Sequence, residues 1–112
     1  NDDELIKYLK LLDTFKEESN YNLDKIIDNK SLSSGQMQKI SFIRALVSNC
    51  EILLLDEATA NLDDKSKEII FDLLKDREIT IINSTHDPTS FKNVDFNLDI
   101  EIINEKRIIN LK

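Results

Sequence analysis

Two carboxylates stand side by side at the end of an apolar run: Ile52-Leu53-Leu54-Leu55 leads directly into Asp56-Glu57. A short, continuous apolar run reads as a strand buried on both faces. A parallel strand ending in acids delivers them to the carboxyl edge of its sheet, where open α/β folds bind ligands. At such an edge Asp56 can hold Mg²⁺, mostly through water, and Glu57 can orient or deprotonate an attacking water. Upstream, Leu32-Ser33-Ser34-Gly35-Gln36 contains the one glycine of the chain and opens a helical pattern. A Ser-capped helix start presents free N–H groups and the positive end of the helix dipole, which suits a phosphate, although most such starts serve only as caps. The single histidine, His86, follows the β-branched run Ile79-Thr80-Ile81-Ile82. An imidazole there can donate to a phosphate and accept from a neighbour; the plainer alternative is an ordinary surface histidine. Asp63 precedes a helical stretch and is suited to cap it.

These residues need elements to place them. Leu5, Tyr8 or Leu9, Leu12 and Phe15 recur at helical spacing behind Asp2-Asp3-Glu4, which predicts an amphipathic helix over Asp3–Glu18. A loop at Asn20–Asn22, a short helix over Leu23–Ile27 and a second loop at Asp28–Ser31 follow. From a cap at Ser33 or Ser34, a helix runs to about Asn49, with Gln36, Ile40, Ile43 and Val47 on one stripe and Phe42 and Leu46 widening it. Ile52–Leu55 is the first strand. Asp64–Lys75 is a helix whose buried face is Ile69, Ile70, Leu73 and Leu74, and Ile79–Ile82 is a second buried strand. Strand, helix and strand form a βαβ unit with a parallel sheet and a right-handed crossover. Pro88 marks a break. Phe96, Leu98, Ile100 and Ile102 alternate as in a half-buried strand, and Lys106–Leu111 is a last strand, joined through Asn104-Glu105.

Composition bounds the rest. The 112 residues make one small domain or a piece of a larger one, and the start at Asn1 rather than Met suggests a segment of a longer protein. A net charge of −7, from 22 acidic and 15 basic residues, disfavours gripping nucleic acid or anionic lipid. No apolar run approaches the ~20 residues that cross a bilayer. The single Cys50 excludes an internal disulfide, fits a reducing compartment and reads as a small half-buried hydrophobe. A chain with one glycine cannot contain the Gly-x-x-x-x-Gly-Lys-Ser/Thr loop that cradles phosphates.

Taken in order, these segments resemble the second half of the nucleotide-binding domain of ATP-binding cassette (ABC) transporters. Leu32–Gln36, continuing through Met37-Gln38-Lys39-Ile40-Ser41-Phe42-Ile43-Arg44-Ala45-Leu46, is similar to the family's Leu-Ser-Gly-Gly-Gln signature and the helix after it. It departs at Ser34 (for Gly), Lys39 (for Arg) and Ile43 (for Ala). Ile52–Glu57 resembles Walker B with its catalytic glutamate, Ala58-Thr59-Ala60-Asn61-Leu62-Asp63 the D-loop, and His86 the switch histidine.

The resemblance implies an incomplete P-loop NTPase (ABC ATPase) fold of class α/β: a partial parallel sheet with flanking helices, plus part of the helical subdomain. Residues 1–50 would belong to that subdomain and 51–112 to the C-terminal part of the ATPase core. It also implies Glu57 and His86 as catalytic residues, Ser33, Ser34, Gly35, Gln36 and Asp63 as nucleotide-binding residues, Asp56 as the metal ligand, and ATP and Mg²⁺ as cofactors. The family setting is the cytoplasmic face of the cell membrane, with a second nucleotide-binding domain and transmembrane domains as partners. Asp56-Glu57-Ala58-Thr59 points to an exporter-type ATPase; a non-transport ABC-type ATPase of DNA repair or translation, and a catalytically silent interaction module, are the alternatives. Without the glycine-rich loop, the segment alone is expected to be inactive, and its unpaired apolar edges are expected to make it self-associate.

Overall fold

The computed structural model describes residues 1–15, 22–24, 27 and 30–112. Helix α1 spans Asp2–Leu11, with Asn1 as N-cap accepting from the Asp3 N–H at 2.9 Å. It ends earlier than the apolar spacing predicts. Asp13 takes a left-handed φ of 50°, its N–H bonds to the Lys10 carbonyl and the Thr14 N–H to the Leu9 carbonyl. This pair of bonds is a Schellman closure with Asp in the position glycine usually fills. The expected continuation over residues 16–18, and most of the expected short helix over 23–27 with its flanking loops, lie outside the described residues.

Helix α2 spans Ser34–Val47. Ser33 is its N-cap in a full capping box: Ser33 Oγ accepts from the Gln36 N–H at 3.1 Å, and Gln36 Oε1 accepts from the Ser33 N–H at 2.9 Å. Its buried face is Lys39, Phe42, Ile43 and Leu46, which corrects the stripe read from spacing. Val47 is exposed, and Gln36 and Ile40 are half-buried, because α1 packs against a face rotated from the one the spacing picked.

Strand β1 (Ile52–Asp56), helix α3 (Asp64–Lys75) and strand β2 (Thr80–Ser84) form the expected parallel βαβ unit, in register Ile52↔Thr80 through Asp56↔Ser84. Asp63 caps α3 by accepting from the Ser66 N–H at 3.2 Å. The core gathers Tyr8, Leu9 and Leu12 from α1, Phe42, Ile43 and Leu46 from α2, Leu55 from β1, Leu62, and Ile70 and Leu74 from α3. All of it lies on one side of the sheet. The expectation that β1 is covered on both faces is therefore corrected: Leu55 is 7% exposed but Leu54 is 71% exposed, and Ile52 and Ile82 share its open face. Alternate residues of a strand point to opposite faces, and among the described residues only one face has a covering layer.

Arg77, just past α3, ties the helices together: its guanidinium donates to the Leu46 carbonyl at 2.6 Å and to the Tyr8 hydroxyl at 2.9 Å. Phe91 packs its ring on Phe71 of α3, with centroids 4.4 Å apart, and so anchors the segment after a single 3₁₀ turn at Pro88–Ser90. Beyond it, β3 (Leu98–Ile103) and β4 (Lys106–Leu111) pair antiparallel, Leu98↔Leu111 through Ile103↔Lys106. Asn104 and Glu105 both have positive φ, 49° and 64°, the geometry of a type I′ hairpin turn made here without glycine. Leu98, Ile100 and Ile102, opposite Leu111, Ile109 and Arg107, form a mostly apolar face that is exposed. The expected half-buried strand is thus uncovered, and Phe96 lies outside it.

Candidate functional site

The carboxyl edge of the two-stranded sheet assembles three of the residues singled out by sequence. Asp56, the last residue of β1, is exposed beside its register partner Ser84. Glu57 follows in a left-handed conformation, φ 48°, with its N–H donating to the Ser84 carbonyl at 2.9 Å. Left-handed non-glycine residues are strained by about 1–3 kcal/mol and gather at functional sites. The Glu57 carboxylate accepts from the His86 N–H at 2.6 Å, and His86 Nε2 lies 3.8 Å from the same oxygen. The imidazole itself is fully exposed. The turn that follows is bonded within itself: Asp87 N–H donates to Thr85 Oγ1 at 3.0 Å, and Asp87 Oδ1 accepts from the Thr89 hydroxyl at 2.6 Å and its N–H at 3.1 Å. Those two bonds from Thr89 hold the Asp87 carboxyl below its ordinary pKa.

Ser33, Ser34, Gly35 and Gln36 form a second group at the start of α2. Ser33 Oγ and both ends of the Gln36 amide are committed within the chain; Gln36 Nε2 donates to the Thr14 carbonyl at 3.1 Å. The Gln36 N–H goes to Ser33 Oγ and the Met37 N–H to the Ser33 carbonyl. The first-turn donors left for an anion are the N–H groups of Ser34 and Gly35. Asp63, at the end of the loop after β1, caps α3.

The two groups meet through residues the sequence reading passed over. A Cβ on Gly35 would lie 2.9 Å from the Asn61 carbonyl oxygen, so the one glycine is required by the loop after β1 approaching α2. Gln38 reaches the same loop, accepting from the Asn61 N–H at 3.0 Å and donating to the Glu57 carbonyl at 3.5 Å. Nothing in the local pattern marks Gln38, since its partners come from 19 and 23 positions away.

No group of three or more His, Cys, Asp or Glu side chains among the described residues could hold a metal ion alone. A single exposed carboxylate such as Asp56 does fit Mg²⁺, which commonly takes one or two carboxylates and completes its shell with substrate phosphates and water.

A family model described as ABC transporter matches residues 2–60, more than half of the chain. The chain belongs to the ABC transporter family. The lipoprotein-releasing system ATP-binding protein LolD of Desulfotalea psychrophila is 44% identical over 73 residues, which are 62% of this chain and 32% of that protein. The ATP-dependent permease MDL1 of Candida albicans is 38% identical over 86 residues, 70% of this chain and 13% of that protein. The methionine import ATP-binding protein MetN 1 of Oenococcus oeni is 38% identical over 88 residues, 71% of this chain and 25% of that protein. The chain thus spans a third or less of these relatives. ABC membership implies a P-loop NTPase fold, and the small α/β unit with its parallel pair of strands is consistent with part of one. The relatives include proteins named for import and one named for secretion, so the expected exporter type is not settled by kinship. No helix among the described residues is long and apolar enough to cross a membrane.

Proposed function

We propose that this chain is the C-terminal part of the ATP-hydrolysing cassette of an ABC transporter, working in a longer protein at the cytoplasmic face of a membrane. Residues 1–50 belong to the signature-bearing helical part and 51–112 to the core. The observation that carries this reading is the pairing of Glu57 with His86 at the sheet edge, next to Asp56. Glu57 orients and deprotonates the attacking water. His86 donates from its exposed imidazole to the γ-phosphate of ATP, its backbone held by the Glu57 carboxylate. Asp56 contributes a ligand to Mg²⁺, which when bound neutralises phosphate charge. Ser34 and Gly35 offer their N–H groups to the phosphates of ATP held by a second cassette, with Ser33 and Gln36 shaping that helix start and Asp63, besides capping α3, contributing to the same nucleotide interface.

Transmembrane domains and the second cassette are the partners, and the acidic charge disfavours a role in gripping nucleic acid. Export is supported only by the form of Asp56-Glu57-Ala58-Thr59.

The test is Glu57→Gln in the longer protein. It keeps the shape and removes the base, so ATP turnover should fall about 10²–10⁴-fold while ATP binding persists. Near-normal phosphate release from this variant would overturn the assignment.

A further inference from the structure

Glu57 sits in a strained backbone conformation, and something must hold it there. Its N–H is held by Ser84, and the Ala60 N–H closes a turn onto its carbonyl at 3.3 Å. The same carbonyl also accepts from Gln38 Nε2, while Gln38 Oε1 takes the Asn61 N–H at the other end of the turn. One amide thus spans the loop from Glu57 to Asn61. The loop rests on α2 closely enough that Gly35 can carry no side chain beneath Asn61. Thr59, in the middle of the loop, is buried, so the segment is packed down at its centre and pinned at both ends.

We propose that Gln38 is a positioning residue for the Glu57 carboxylate: its amide clamps the Glu57–Asn61 turn to α2 and thereby holds Glu57 in its left-handed conformation, aimed at His86. The physical reason is the geometry of the two bonds. The acceptor end fixes the turn's exit through Asn61, and the donor end fixes the orientation of the Glu57 peptide plane. With both removed, Glu57 relaxes toward an ordinary φ, and its carboxylate leaves the position 2.6 Å from the His86 N–H. A displacement of about 1 Å in a catalytic group can lower a rate about 10²-fold without touching ground-state binding. The partners of the Gln38 amide are the Glu57 carbonyl and the Asn61 N–H, so its effect reaches the carboxylate through the turn that carries Glu57.

The inference rests on the proposed ATPase role, and its test separates the two. Gln38→Ala and Gln38→Glu are made in the longer protein. ATP turnover and ATP affinity are measured, together with hydrogen exchange of the Asn61 amide. Gln38→Ala should lower kcat about tenfold to a hundredfold, leave the ATP affinity within about twofold, and speed Asn61 exchange about threefold to tenfold. Gln38→Glu keeps the acceptor for Asn61 but loses the donor to Glu57. It should keep Asn61 protected and still lose turnover. Unchanged Asn61 exchange in Gln38→Ala, or faster exchange with normal kcat, overturns the inference. An inactive wild-type protein instead overturns the ATPase reading itself, and the positioning role falls with it.

Discussion

Leu54 and Leu55 are consecutive residues of one strand, yet one lies open and the other belongs to the core. The same contrast divides the molecule. On one side of the β1–β2 sheet, the three helices bury Leu55 and Leu62 together with their own residues, among them Ile70 and Leu74 of α3. On the other side, and along the β3–β4 hairpin, Ile52, Leu54, Ile82, Leu98, Ile100, Ile109 and Leu111 stand exposed. The two regions have similar residues. They differ only in whether another layer lies over them. Hydrophobic stabilisation follows area removed from water, so identical side chains contribute in one region and not in the other.

Breaking the covered side should have the largest effect. Ile70 is 0% exposed, and Ile70→Ala leaves a cavity under α3. It should lower unfolding free energy by about 2–5 kcal/mol, read as a reduced urea midpoint. Next comes the tie between the helices. Arg77→Ala removes two bonds, to the Leu46 carbonyl and the Tyr8 hydroxyl, and should lower stability by about 1.5–3 kcal/mol, with loss of protection at the end of α2 in hydrogen exchange. The exposed side should respond in the opposite way. Leu54→Lys and Ile102→Lys together should change the stability of the 112-residue chain by roughly 0.5 kcal/mol or less each. They should also shift its sedimentation toward monomer, because uncovered apolar strands recruit other chains. Full self-association in the double variant would show that this face is not the contact.

The smallest effect sharpens the comparison at the site itself. The two bonds from Thr89 lower the Asp87 carboxyl pKa below its ordinary value of 3.8. A depressed carboxyl supports the folded state at and above that ordinary value and loses the contribution as pH falls through its lowered one. The turn carrying His86 should therefore loosen only in acid below about pH 4. Thr89→Ala should move the Asp87 titration, followed by NMR, back up toward its ordinary value.

Local chemistry was legible where the chain itself supplies the cause. The span of α3 and the β4 range match the reading from periodicity, and Ser33 and Asp63 do cap their helices. The parallel βαβ unit followed from apolar runs around one amphipathic helix. The end of α1 is not legible in the spacing, because Asp13 occupies a left-handed closing position that glycine usually marks. The buried face of α2 is not legible either, because helical spacing leaves adjacent stripes nearly equivalent until another helix, here α1, selects one.

By itself, the sequence determined which residues are apolar, which residues cap α2 and α3, and that Asp56 and Glu57 close an apolar strand with His86 beyond the next one. Tertiary structure alone decided that His86 meets Glu57, that Gly35 faces Asn61, and that Gln38 grips the turn between them. The reason is range. Periodicity and capping are set by neighbours within about a turn of helix or a pair of strand residues. A hydrogen bond between residues 23 or 29 positions apart exists only once the helices have packed and the sheet has brought its carboxyl edge together.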